Sequence, residues 1–199
     1  MKKTFFKTVL VLVIALLAMS CSKDGADGPT PCTPIACLNN GVSNSNCGCD
    51  CPSGYGGANC GTILTPSKVI ITKVIVKSFN NLNTSGIGHD LTNGADIYIK
   101  INSGSTVIYD HPTFYSNATD GLNTNYEFIL NPILQIVNVN SPLVISLWDY
   151  DLGDTPSNPD DNMASGSFFP FAGNSFPSSI IVTDPSTATK FEVFFTYQW

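Results

Sequence analysis

The sequence predicts a mainly β protein in two parts, a small cysteine-bridged module followed by an eight-stranded antiparallel sandwich. Three observations predict it. The 199 residues include 16 Gly and 13 Pro among abundant Asn, Ser and Thr, the residue types that turns demand. No amphipathic helical stretch of useful length occurs, and the Glu, Arg and Ala that favour helices are scarce. Six of the seven cysteines crowd between residues 32 and 60, while strand-like runs recur from Ser67 to Trp199 without a single cysteine.

In chain order, Lys2, Lys3 and Lys7 form a positive segment ahead of the apolar run Val9 to Leu17. That run is short of the roughly 20 apolar residues a bilayer span requires, and it reads as a secretory signal over residues 1–20. Leu17-Ala18-Met19-Ser20-Cys21 resembles the lipobox of bacterial lipoproteins, with Met19 where a smaller residue is common. The resemblance implies that the Cys21 thiol carries a diacylglyceryl group and that Cys21 becomes the mature N-terminus. Cysteine parity agrees, since setting Cys21 aside leaves an even six. Residues 21–31 form a polar tether, in which Ser22-Lys23-Asp24 resembles the Lys-plus-acid signal of surface-exported lipoproteins of the Bacteroidota. The expected place is therefore the cell envelope of a Gram-negative bacterium. The protein would be a surface-exposed outer-membrane lipoprotein, anchored through Cys21 rather than spanning.

Residues 32–60 contain Cys32, Cys37, Cys47, Cys49, Cys51 and Cys60. A segment of this size cannot bury an adequate apolar core, so cross-links must hold it. Six cysteines allow fifteen pairings, and spacing alone selects none. The stretch Cys49-Asp50-Cys51-Pro52-Ser53-Gly54-Tyr55-Gly56-Gly57-Ala58-Asn59-Cys60, with Leu38-Asn39-Asn40-Gly41 before it, resembles an EGF-like module. That resemblance implies the pairs Cys32–Cys47, Cys37–Cys49 and Cys51–Cys60. Zinc is disfavoured, because zinc knuckles use Cys-x2-Cys spacing and often His, and the two histidines lie far downstream. Calcium-binding EGF modules carry acids just before the first cysteine, where this chain has Gly28-Pro29-Thr30-Pro31. The module is expected to act as a rigid spacer, with residues 61–67 as a linker.

The remaining residues, 68–199, supply eight candidate strands: Val69 to Phe79, Ile97 to Ile101, Thr106 to Asp110, Tyr126 to Leu130, Leu134 to Val139, Leu143 to Leu147, Ser165 to Phe169 and Phe191 to Trp199. About 130 residues suffice for one core, and most aromatics here are expected to fill it.

The charges point to function. The nine cations are all lysine, and thirteen of the fifteen anions are aspartate. Charged residues make up 12% of the chain, about half of the roughly 25% usual for a soluble domain. Signal removal would leave six cations against fifteen anions, a net of −9. Without clustered Lys and Arg the chain is not a nucleic-acid binder. Aspartates gather in two loops: Asp90 and Asp96 in the first, and Asp149, Asp151, Asp154, Asp160 and Asp161 in the second. On a strand leaving the sheet, Asp149 and Asp151 project to one side. At an effective dielectric of about 20, two carboxylates about 4 Å apart repel by about 4 kcal/mol. Calcium relieves that repulsion, because it takes six to eight oxygen ligands in flexible geometry. Asp110, Asp120 and Asp184 read as turn-forming aspartates.

The two loops carry a resemblance to C2 domains. Ala95-Asp96-Ile97-Tyr98-Ile99-Lys100-Ile101 is similar to the family's Ser-Asp-Pro-Tyr-Val-Lys-Val strand, and Leu147-Trp148-Asp149-Tyr150-Asp151 to its Trp-Asp-x-Asp loop entry. Asp160-Asp161-Asn162-Met163-Ala164 resembles the Asp-Asp-x-Met-Gly exit. The resemblance implies a C2-like β-sandwich and calcium (Ca²⁺) ligation by Asp90, Asp96, Asp149, Asp151 and Asp161, with Asp154 or Asp160 as substitutes in a longer loop. A membrane-anchored binding protein is expected, docking to lipid or protein partners. The alternatives are a calcium-stabilised adhesin or glycan-binding module, with Tyr150, Trp148 or Tyr115 as contact aromatics, and a calcium-free structural interaction protein. An enzyme is not expected: His89 and His111 are the only histidines, and neither sits in a nucleophile motif.

Overall fold

A computed structural model of the chain describes residues 33, 35–82, 85–89, 94–151 and 160–199. The expected signal, lipidation site Cys21, tether and Cys32, together with the candidate ligands Asp90 and Asp154, lie outside the described residues.

Twelve strands account for all regular structure among the described residues. Four are two-residue pieces of the cysteine module: β1 (Val42–Ser43), β2 (Cys49–Asp50), β3 (Tyr55–Gly56) and β4 (Thr62–Ile63). They pair as two miniature antiparallel ladders, β1 with β2 and β3 with β4. Cross-links do the rest, with bridges Cys37–Cys49 and Cys51–Cys60. Both are pairs that the EGF resemblance implies. Cys47 is disulfide-bonded as well. Gly41 belongs to this scaffold by necessity, since a Cβ there would lie 2.5 Å from the Cys60 sulfur.

The other eight strands are β5 (Lys68–Phe79), β6 (Ile97–Ser103), β7 (Thr106–Asp110), β8 (Gly121–Ile136), β9 (Leu143–Asp149), β10 (Asp161–Phe168), β11 (Ser179–Thr183) and β12 (Lys190–Gln198). They form two four-stranded sheets, β10-β9-β6-β7 and β11-β12-β5-β8, every pairing antiparallel. Their inner faces close on one apolar cluster. Val69, Ile71, Val74 and Val76 on β5 meet Ile97, Ile99 and Ile101 on β6, Ile145 and Leu147 on β9, and Phe191, Val193 and Phe195 on β12. The period-two alternation in β12 and β9 is what delivers these side chains to one face.

Two elements differ from the sequence expectation. Tyr126 to Leu130 and Leu134 to Val139 are parts of one continuous strand, β8, broken in the sequence only by Asn131-Pro132. Proline is tolerated there because β8 is an edge strand, and a register shift opposite Ile71 and Lys73 absorbs the irregular residues. β11 is an additional edge strand, five residues long between serine-rich turns, too short to stand out in the sequence.

The module rests on the sandwich. Tyr55 meets Phe176 edge-to-face at 5.5 Å, and Phe176 packs in turn on Phe171, Tyr197 and Trp199. Gly54 makes the contact possible: its φ is +88°, and a Cβ would lie 2.6 Å from the Phe176 and Trp199 rings. Ile63 packs against the sandwich core, and Ser67 Oγ donates to the Gln198 carbonyl at 3.1 Å. Residues 61–67 therefore include a paired strand, β4, as well as connecting chain.

Candidate functional site

The ladder registers fix which loops share an end. Ile97 opens β6 opposite Asp149, the last residue of β9, and Asp149 faces Asp161, the first residue of β10. Asp96, Asp149 and Asp161 are thereby brought to the same end of one sheet, with Asp151 and Asp160 in the loop between β9 and β10.

Asp149 continues the inward parity of Ile145 and Leu147, so its carboxylate is driven to the buried side, where it is 1% exposed. Its Oδ1 accepts the Asp96 amide at 2.6 Å. Asp96 Oδ1 accepts the Asn117 amide at 2.7 Å, and the Asp96 carbonyl accepts the Tyr150 amide at 2.8 Å. This last bond carries the β6–β9 pairing one residue past Ile97 and Asp149. The Asp151 amide donates to Asp160 Oδ1 at 3.0 Å, and Tyr98 Oη donates to the other Asp160 oxygen. Asp161 Oδ2 stands 3.6 Å from Nδ1 of His89, whose side chain is only 6% exposed. The rim is thus stitched from three segments by carboxylate-to-amide bonds, which both place the acids and compensate part of their mutual repulsion.

Among the described residues, no three His, Cys, Asp or Glu side chains lie close enough to hold a metal ion. Asp96, Asp149 and Asp161 form one part of the rim, Asp151 and Asp160 another. The described lysine ion pairs use other acids: Lys73–Glu127, Lys77–Glu192 and Lys100–Asp110.

Of the three aspartates read as turn formers, Asp184 makes a local turn bond, while Asp110 ends strand β7 and Asp120 reaches a distant segment. Asp184 accepts the Ser186 amide and hydroxyl on Oδ1 and the Ser165 amide on Oδ2. Burial works to raise its pKa, but hydrogen bonds from the Ser186 hydroxyl and the Ser165, Ser186 and Thr187 amides together outweigh it and hold the carboxyl below its ordinary value. Asp120 caps the Asn81 amide at 3.1 Å, and Asp110 pairs with Lys100 at 3.8 Å.

On the outer face of the same sheet, beside the rim, lies a cavity of about 480 Å³. Tyr98 and Lys100 on β6 and Asp110 on β7 form its floor; the 111–114 segment, Tyr150 and Asp160 form its walls. Phe114 and Tyr150 stack at 4.5 Å with an 18° interplanar angle. Of the contact aromatics expected from sequence, Tyr150 lines this cavity. Trp148 is half-buried, its indole N–H donating to Ser146 Oγ at 2.8 Å, and Tyr115 is tied by its hydroxyl to the Glu127 carbonyl at 2.8 Å. Phe114 escaped sequence reading because an isolated loop aromatic looks the same as a core aromatic.

No protein-family model and no curated protein matches the chain. Solved structures do. A structure described as a C2 domain is 13% identical, with 66% of this chain and 98% of that chain aligned and a TM-score of 0.44. A C2 domain protein from Ramazzottius varieornatus is 12% identical over 67% of this chain and 91% of that one, at 0.39. Human GIVD cytosolic phospholipase A2 is 17% identical over 66% of this chain and 17% of that one, at 0.41.

Proposed function

We propose that the chain is a lipid-anchored, surface-exposed bacterial protein whose sandwich is a C2-like binding module with calcium at its acidic rim. The observation that carries this reading is the rim itself. Asp96, Asp149, Asp151, Asp160 and Asp161 come from separate segments to one end of one sheet. Oxygen donors without cysteine suit a hard cation and not zinc or copper. As they stand the described acids are not gathered closely enough to hold it, so binding would draw Asp96, Asp149, Asp151 and Asp161 together with Asp160 and, from the same two loops, Asp90 and Asp154. Bound calcium supplies a positive charge that bridges the rim to an anionic group of a lipid or protein partner.

The protein's own residues prepare the site. Asp96 and Asp149 are oriented by backbone amides rather than by flexible side chains. His89 beside Asp161 and the two Asp160 bonds keep the outer acids from splaying apart. The reading is of binding, not catalysis. His89 faces Asp161, and both ring nitrogens of His111 face backbone carbonyls, of Thr113 and Ile129, so neither imidazole stands ready as a general base. The cysteine module serves as an EGF-like spacer, and lipidated Cys21 holds the protein in the outer membrane facing outward. With an acidic balance, nucleic acid is not a partner.

Isothermal titration of calcium into the full chain tests the cation, and sedimentation with phosphatidylserine vesicles tests the partner. Saturable heat that disappears in the Asp96→Asn, Asp149→Asn double variant supports the rim; absence of heat in the parent ends the calcium reading and leaves a calcium-free interaction module. Vesicle binding only in calcium supports lipid docking. Calcium binding without sedimentation assigns the partner to protein instead.

A further inference from the structure

We infer that the cavity on the outer face of the β10-β9-β6-β7 sheet is a binding site for a neutral polyhydroxylated ligand, a glycan residue. The inference does not rest on the cation. Its first support is the mixture of charges. Asp110, half-exposed, pairs with Lys100 at 3.8 Å, and Asp160 stands at the opposite wall, held by the Tyr98 hydroxyl. A ligand there meets two carboxylates, which only accept hydrogen bonds, and one ammonium, which only donates them. An anion would face both carboxylates, and a cation would face Lys100. A sugar hydroxyl donates to one and accepts from the other, so a neutral ring with several hydroxyls satisfies the whole set without an unpaired charge.

The second support is aromatic. Phe114 and Tyr150 are stacked at one wall, and Tyr98 stands edge-on to Tyr150 at 6.5 Å. Stacked aromatics offer the apolar C–H face of a pyranose a flat partner while its hydroxyl edge turns to the charged groups. Lys100 is not loose: its ammonium lies 4.4 Å from the Trp148 ring and 5.1 Å from the Tyr98 ring, which fixes it over the floor. The third support is size. About 480 Å³ falls in the range of small-molecule sites, and strands rather than loops carry the floor, so the groups are preorganised.

The test uses the full chain in EDTA, with methyl glucoside, methyl galactoside, methyl mannoside and N-acetylglucosamine as probes, each followed by saturation-transfer NMR. Tetramethylammonium and inorganic phosphate serve as charged comparisons. The expected result is saturable binding of at least one neutral sugar, weakened about tenfold by Phe114→Ala, which loses one stacking wall. Phe114 is partly exposed, so its replacement leaves the fold intact, as a melting curve will verify. Asp110→Asn, which keeps the shape and removes one acceptor charge, should weaken the same sugar and leave the melting temperature close to the parent's. The inference is overturned by no saturable sugar binding, by sugar binding unchanged in either variant, or by preference for either charged comparison. Sugar binding that needs calcium also overturns it, because the site would then be the rim. Failure here leaves the calcium titration unaffected, and failure there leaves this test standing.

Discussion

Asp184 and Asp149 are the same residue type, both buried and both at a strand end, yet their surroundings differ in kind. At Asp184, donors converge on one acid: two amides and a hydroxyl from Ser165 and Ser186 occupy its oxygens. At Asp149, acids converge on one another, with Asp161 opposite it in the ladder and the amide of Asp96 on its Oδ1. The first arrangement is complete without a ligand and stabilises a turn. The second accumulates negative charge that backbone bonds only partly offset. An acid surrounded by donors is a structural part, while an acid surrounded by acids is a candidate site.

The contrast can be broken by calcium. At a calcium concentration a hundredfold above its dissociation constant, linkage should stabilise the full chain by about 2.7 kcal/mol, seen as a rise in melting temperature. Asp96→Asn with Asp149→Asn should remove most of that rise, whereas Asp184→Asn should leave it intact. A rise that survives the rim double variant would erase the distinction. Next in size, Asp184→Ala should cost about 2 kcal/mol in urea unfolding, with or without calcium, because it strands the Ser165 and Ser186 amides. A loss that calcium restores would move Asp184 into the cation site.

Acid sharpens the same point. The Asp184 carboxyl is held below its ordinary value in the folded protein. Its stabilisation is therefore fully present above the unfolded-chain pKa of about 3.9. It is lost as pH falls below that through the folded value. The stability gap between the parent and Asp184→Asn should narrow over that window; a gap that widens toward acid would contradict the hydrogen-bond account. The smallest effect belongs to Asp120, whose carboxylate caps the exposed Asn81 amide. Asp120→Asn keeps an accepting oxygen and should change stability by less than about 0.5 kcal/mol.

Much of this was legible in the sequence, for identifiable reasons. Alternation delivers Leu143, Ile145 and Leu147 to one face, and the same parity carries Asp149 inward. What parity could not reveal is that Asp160 takes the Asp151 amide and the Tyr98 hydroxyl, because the second of these bonds joins residues far apart in the chain. Pro132 made one strand look like two, since a sequence does not say whether a strand lies at an edge. The cavity was invisible for a related reason: Lys100, Asp110, Phe114, Tyr150 and Asp160 meet only through the register of β6 with β7 and β9. The disulfide pairs were legible through resemblance and not through spacing.

The contact of Tyr55 with Phe176, near Trp199, sets a polarity for the whole molecule. It fastens the cysteine module at the pole where β5 begins and β12 ends, whereas the acidic rim belongs to the pole where β5 ends and β6 begins. The twelve residues of β5 separate these poles by about 35 Å at a strand rise of about 3.3 Å per residue. Were the proposed anchor at Cys21 in place, the rim, at the pole opposite the module, would face away from the anchoring bilayer, like the head of a pin set in a cushion. The surface such an arrangement would turn it toward is an opposing one, on another cell or in the surroundings, rather than the membrane at its own base.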